Sequence, residues 1–172
     1  EQRGIPAVVL HSYADFPDQV KSDVDYAVPH AALAQLPEIE QAVARRCGWV
    51  VAQRLVHETT ACSAILVNPA HPGESVMLDA ASHYTRNGCV FLRDADLLHG
   101  RRPHKGFFIP SASTEFIYVW VKTLAKGKAA APYLPRLRAL YQAESERSEH
   151  LFARVFGAEV GPAKSWLARP VD

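Results

Sequence analysis

Three aspartates carry the chemistry that this sequence suggests most directly. Asp23 and Asp25 stand one residue apart in the segment SDVDYAV, and Asp79 lies in the segment MLDAA. Side chains two residues apart in a β-strand lie on the same face, so the first two carboxylates would repel each other and one would tend toward protonation. A divalent cation removes that repulsion, because Mg²⁺ prefers carboxylate oxygens and keeps its other positions for water or phosphate.

The third acid decides how specific this pattern is. If the strand of Asp79 lies beside the strand of Asp23 and Asp25, three carboxylates meet at one edge of a sheet. Such a cluster suits two-metal phosphoryl or nucleotidyl transfer, in which the metals activate the attacking oxygen and neutralise charge on the phosphate. The other interpretation of an Asp-x-Asp pair is a solvated turn or strand end.

The elements that position these acids follow from hydrophobic periodicity. The apolar run at 8–10 suits a buried strand or the end of a helix. Further runs predict strands, and they lie at 22–28, 49–58, 60–69 and 75–88. A hairpin turn is expected near residues 58–60, a loop at 69–74, and a second turn at Asn87-Gly88.

Helices are predicted on both sides of these strands. The first covers 30–48, with an apolar face of Leu33, Leu36, Ile39 and Val43 and a C-terminal cap at Gly48. The second covers 111–128, and its expected buried face consists of Phe116, Val119, Trp120 and Leu124. A third amphipathic stretch covers 132–157, with Pro135 near its start and Gly157 at its end.

These elements predict an α/β (α+β) fold, with a mixed sheet flanked by helices. We expect an α/β core over residues 1–95, followed over 96–172 by a loop and a C-terminal helical segment that packs on the core. The first residue is Glu1 rather than Met, which we interpret as a sign of an excised domain or a processed chain.

Composition excludes several classes of protein. The 172 residues carry 19 Lys+Arg against 18 Asp+Glu, a net charge of +1, which excludes a globally basic nucleic-acid binder and disfavours nucleic acid as a partner. No apolar run reaches the roughly 20 residues of a membrane span. Three cysteines without CxxC spacing predict reduced thiols in a cytoplasmic protein, and the eight histidines lack the spacing of a zinc site.

The acidic pattern resembles that of the nucleotidyltransferase-fold proteins of the DNA polymerase β superfamily, in their small bacterial form. Their signature is Gly-Ser, a spacer, an Asp-x-Asp often preceded by Ser, and a third Asp on a later strand. Ser12, Ser22 and the three aspartates stand in that order here, and the resemblance covers roughly residues 8–85. His11 replaces the family's glycine, which normally lets the backbone approach a triphosphate. The histidine would either obstruct that approach or donate to a phosphate itself.

The resemblance implies a reaction and its participants. A hydroxyl of a small-molecule or polysaccharide-related acceptor would attack the α-phosphate of an NTP, with Mg²⁺ (or Mn²⁺) as cofactor. The resemblance gives Asp23, Asp25 and Asp79 the catalytic and metal-binding roles. The residues expected at the nucleotide are His11, Ser12 and Ser22 from the signature, with Arg101, Arg102 and Lys105 from the basic run HGRRPHKG. That run either grips a phosphate or an anionic acceptor, or is a solvated loop.

Other functions stay open at this point. The whole chain is similar to bacterial nucleotidyltransferase-like domains encoded near polysaccharide genes, some of them fused to a kinase of the thymidylate-kinase type. A fused or associated kinase is therefore an expected partner. The alternatives are a catalytically inactive domain that senses nucleotide or binds a protein, and a toxin-like or antitoxin-like enzyme that modifies a protein or tRNA.

Overall fold

A five-stranded mixed sheet forms the framework of the protein. The structure, a computed structural model, describes residues 4–20, 23–125, 131–157 and 161–168. The strands of the sheet are β1 (Val8–Val9), β2 (Asp23–Ala27), β3 (Val50–Glu58), β4 (Ala61–Val67) and β5 (Ser75–Ala81). Their order is β1-β2-β5-β4-β3; β2 and β5 are parallel, and the other neighbouring pairs are antiparallel. The predicted mixed sheet flanked by helices is confirmed.

Helices cover the sheet and make up most of the C-terminal part of the described chain. They are α1 (Leu36–Arg46), α2 (Asp94–Leu98), α3 (Ala112–Ala125), α4 (Leu134–Ala143), α5 (Ser145–Phe156) and α6 (Gly161–Leu167), with 3₁₀ helices at His30–Gln35 and Ala131–Tyr133. None of the helices in the described ranges combines the length and the apolar character needed to cross a membrane.

Two small hairpins lie outside the main sheet. The first joins β6 (Tyr84–Arg86) to β7 (Cys89–Leu92), and the expected Asn-Gly turn is present, with positive φ at both turn residues. The second joins β8 (Arg102–His104) to β9 (Phe107–Ile109). It corrects the expectation of an irregular basic loop, because Lys105 and Gly106 take the positive φ values that a tight turn requires.

The buried face of α1 differs from the predicted one. Leu36, Glu40 and Ala44 are buried, whereas Val43 is 41% exposed, so its prediction as a core residue is wrong. The buried carboxylate of Glu40 accepts a hydrogen bond of 2.8 Å from the Tyr26 hydroxyl and pairs with Arg54. These partners offset the desolvation of the charge, so a glutamate can face the sheet.

Helix α3 is buried on nearly all sides. Phe116 and Ile117 are fully buried, and the core around them includes Val8 from β1 and Leu137 from α4. The predicted buried face of α3 is therefore too narrow, and it includes one error, since Leu124 is 61% exposed. One continuous core thus joins the sheet to the C-terminal helices.

The predicted helical stretch 132–157 is two helices, because Glu144 leaves the helical conformation between α4 and α5 (φ −145°, ψ 57°). Its carboxylate accepts hydrogen bonds from the Ser113 backbone N–H (3.0 Å) and hydroxyl (2.7 Å) in the first turn of α3. Burial raises the pKa of Glu144, but these hydrogen bonds outweigh burial and hold it below the ordinary value of 4.5.

We predict that Glu144→Gln destabilises the protein by about 1 kcal/mol at neutral pH, as the loss of a helix-capping group does. A depressed pKa stabilises the native state above 4.5, and that stabilisation is lost as the pH falls through the folded-state pKa. The difference between wild type and variant in urea unfolding should therefore shrink well below pH 4.5. An unchanged difference in acid would contradict this account.

Candidate metal centre

The three predicted acids lie together on adjacent parallel strands. In the register of β2 and β5, Asp25 lies directly opposite Asp79, and Asp23 lies one same-face step away on β2. Each of the three offers a carboxylate oxygen, and these oxygens lie within 4.8 Å of one another. The donor set fits a divalent cation of the Mg²⁺ type, because it consists of hard carboxylate oxygens on a half-buried face of the two interior strands, rather than at the expected sheet edge.

Asp25 already has two basic neighbours. Its Oδ2 pairs with Nε2 of His11 and lies 3.6 Å from Nζ of Lys122. The His11 ring is fixed by stacking on Tyr118 (5.7 Å between centroids, 28° between planes) and by a contact of 2.6 Å from Nδ1 to the Ser12 hydroxyl. Burial raises the pKa of Asp25, but the His11 hydrogen bond and the charges of His11 and Lys122 together hold it below 3.8.

The pKa of Asp79 is shifted in the opposite direction to that of Asp25. Burial and the negative charge of Asp25 raise its pKa above the ordinary value of 3.8, and His57 opposes that shift only in part. Nε2 of His57 lies 4.0 Å from Oδ1 of Asp79 and 2.9 Å from the hydroxyl of Ser63, which is opposite Asp79 on β4. His57 occupies an irregularity in the pairing of β3 with β4, and such a bulge redirects a side chain.

Two pockets adjoin the acids. The His11 pocket has a volume of about 210 Å³, and its lining includes His11, Ser12, Val119, Lys122, Tyr133 and Arg136. The Asp79 pocket has a volume of about 170 Å³, and its lining includes Asp25, Asp79, His57, His83 and Arg86. Tyr118 lines both pockets, so its buried ring stands between them. The first pocket is rich in cationic and hydroxyl groups, and the second is lined by two of the three acids, Asp25 and Asp79.

The other predicted nucleotide-binding residues divide into three groups. Ser12 lies in the His11 pocket and has a positive φ of 58°, whereas Ser22 falls outside the described residues. Arg101, Arg102 and Lys105 line neither the His11 pocket nor the Asp79 pocket, as the described residues form them.

The basic side chains of the β8–β9 hairpin instead have partners within the protein. Arg101 lies over the Phe108 ring at 4.9 Å, and Lys105 donates to the Ala14 carbonyl at 2.9 Å. Arg102 donates to the Pro110 carbonyl and to the Glu115 carboxylate, both at 2.9 Å. A role for these three residues in phosphate binding stays a prediction.

Sequence reasoning missed four residues of the site: His57, Tyr118, Lys122 and Arg136. Tyr118 and Lys122 are four residues apart on one face of α3, but helical spacing alone does not distinguish a residue of a site from a packed or solvated one. His57 carries no local signal, because its position results from an irregular strand pairing.

Comparison with known proteins leaves the functional argument to this geometry. No protein-family model matches the chain, and no curated protein is significantly similar to it in sequence.

We predict that Asp79→Asn raises the thermal midpoint of the metal-free protein at neutral pH. Because the folded-state pKa lies above 3.8, ionisation of Asp79 destabilises the native state once the pH has risen through that pKa, and the effect is absent below 3.8. Each kcal/mol that the substitution adds to the free energy of unfolding raises the midpoint by about 2–4 °C for a chain of this size.

The measurement is thermal unfolding in EDTA, with Asp18→Asn as the matched control, since the side chain of Asp18 is 85% exposed. The control should leave the midpoint nearly unchanged. A lower midpoint for Asp79→Asn would show that the ionised carboxylate of Asp79 does not destabilise the native state.

Proposed function

We propose that this chain is a metal-dependent nucleotidyltransferase-like protein, which transfers an NMP unit from an NTP to a hydroxyl of a small or polysaccharide-related acceptor. The observation that carries the proposal is the convergence of Asp23, Asp25 and Asp79 within 4.8 Å, on parallel strands that lie next to a cationic pocket. Carboxylates of this kind hold the metals of phosphoryl transfer, and a cationic pocket beside them suits a triphosphate.

The carboxylates would hold Mg²⁺ or Mn²⁺. When bound, the metal supplies charge neutralisation at the phosphates and lowers the pKa of the attacking hydroxyl. The protein's own side chains provide the rest: the Ser12 hydroxyl and the charges of Lys122 and Arg136 bind the triphosphate in the His11 pocket.

The acceptor would enter the Asp79 pocket. Its hydroxyl oxygen forms a bond to the α-phosphorus, the bond from that phosphorus to the pyrophosphate oxygen breaks, and pyrophosphate leaves. Asp79 accepts the hydroxyl proton, a role that suits a carboxylate whose pKa is raised by burial and by Asp25.

One observation favours a second candidate, a non-catalytic domain that binds nucleotide or an attached or associated kinase. Asp25 is paired with His11 and Lys122, so its charge is partly neutralised without any metal. In that case Lys122 and His11 replace the cation, and the pocket serves for binding alone.

We predict that Mg²⁺ with an NTP raises the thermal midpoint of the wild type and that Asp23→Asn/Asp25→Asn abolishes this rise. A ligand that binds only the native state stabilises it by about 2.7 kcal/mol at a hundredfold excess over its Kd. Asp18→Asn should retain the rise, because it removes an exposed acid elsewhere.

Release of pyrophosphate, measured on the same samples, separates the two candidates. With a panel of small polyols and saccharides added as hydroxyl acceptors, turnover that the double variant lacks supports the enzyme. Binding without turnover across that panel supports the nucleotide-binding domain. An equal rise in the double variant would place the nucleotide away from the acids and contradict the metal-dependent enzyme.

We predict further that His11→Ala lowers the Mg²⁺ concentration required for half-maximal stabilisation. The imidazole pairs with Asp25 Oδ2, so it competes with a cation for the Asp25 carboxylate. The measurement is a Mg²⁺ titration of the thermal midpoint for wild type and variant. A higher Mg²⁺ requirement in the variant would instead show that His11 orients Asp25 for the metal.

A further inference from the structure

An aromatic side chain stands exposed in the wall of the His11 pocket. Tyr133 closes the 3₁₀ helix Ala131–Tyr133 that precedes α4, and it remains 39% exposed. Its neighbours behave differently, since Leu134 and Leu137 on α4 are both buried in the core. Tyr133 is therefore partly exposed where it lines the pocket, unlike the two buried leucines that follow it.

The lining of this pocket has two kinds of chemistry. One part is polar and cationic: the Ser12 hydroxyl, the Lys122 ammonium and the Arg136 guanidinium. The other part consists of the Tyr133 ring and the side chain of Val119. A nucleoside triphosphate has the same division, with a polyanion at one end and a flat π system at the other.

The less polar part offers few groups that could read a base by hydrogen bonding. Thr123 also lines the pocket, but its hydroxyl donates at 2.8 Å to the Val119 carbonyl within α3. The hydroxyl proton of Thr123 is therefore used within α3. Stacking on an aromatic face tolerates all four bases, because each of them has a π face.

We propose that Tyr133 is the stacking platform for the nucleobase, so that the chain binds ATP, GTP, CTP and UTP with similar affinity. This inference rests on the proposed function, and it adds the way in which the nucleotide is recognised. Removal of a stacking aromatic side chain weakens binding by roughly five- to a hundredfold.

The experiment compares ligands with and without a base. Dissociation constants are measured by calorimetry for the Mg²⁺ complexes of the four NTPs and of inorganic tripolyphosphate, with wild type, Tyr133→Ala and Tyr133→Phe. Tyr133→Ala should weaken all four NTPs about tenfold or more and leave tripolyphosphate unchanged. Tyr133→Phe is the matched control, because it retains the π face, and it should bind NTPs like the wild type.

The outcomes separate this inference from the function on which it rests. Equal losses for NTPs and tripolyphosphate in Tyr133→Ala would overturn the stacking role alone, since the change would then act through the shape of the pocket. A preference of more than about tenfold for one base in the wild type, or full NTP affinity in Tyr133→Ala, would overturn it as well. A wild type that binds neither kind of ligand would overturn the proposed function and this inference together.

Discussion

A buried carboxylate holds the site region together. Glu115 is fully buried, and it accepts hydrogen bonds from Tyr13 (2.8 Å to each oxygen), from Arg102 (2.9 Å) and from Arg136. Removing one partner from such a buried ionic group destabilises a protein by about 3–5 kcal/mol, because it leaves charge uncompensated. Burial and the Glu115 charge raise the pKa of Tyr13 to about 12, so the phenol stays a donor to this carboxylate. The four side chains come from the segment after Ser12, from β8, from α3 and from α4, and they lock those parts to one another.

Helix α3 connects the buried Glu115 to the three acids. Tyr13 directly follows Ser12, so the hydrogen bond from Tyr13 to Glu115 fixes the C-terminal end of the His11–Ser12 segment against α3. Residues three and seven positions beyond Glu115 lie on nearly the same helical face. They are Tyr118, which stacks on His11, and Lys122, which lies 3.6 Å from Asp25. One face of α3 therefore carries the anchor, the support for the imidazole and the counter-charge of the acid.

Sequence patterns predicted the strands and helices better than the contacts between them. Alternation and turn residues identified the strands that carry Asp25 and Asp79, but their parallel adjacency depends on long-range pairing that no local pattern reports. The basic run was interpreted as a phosphate-binding or solvated loop, because the buried partner of Arg102 lies on a different element. Glu115 lies in the first turn of α3, where an acid is ordinary in any helix, so no local pattern marks it as buried. Local charge patterns thus showed where charged residues occur and missed which of them are buried together.

The two facing acids of the candidate centre are held in different electrostatic states. His11 and Lys122 stabilise the ionised form of Asp25, and that charge in turn disfavours ionisation of Asp79. The sheet register fixes the two carboxylates opposite each other, so the native fold cannot relieve the repulsion by moving one strand. A cation between them would remove it, but it would have to compete with the His11 imidazole, which already pairs with one oxygen of Asp25. In the proposed metal centre, His11 would therefore set how strongly a cation must compete for Asp25 before the centre can be filled.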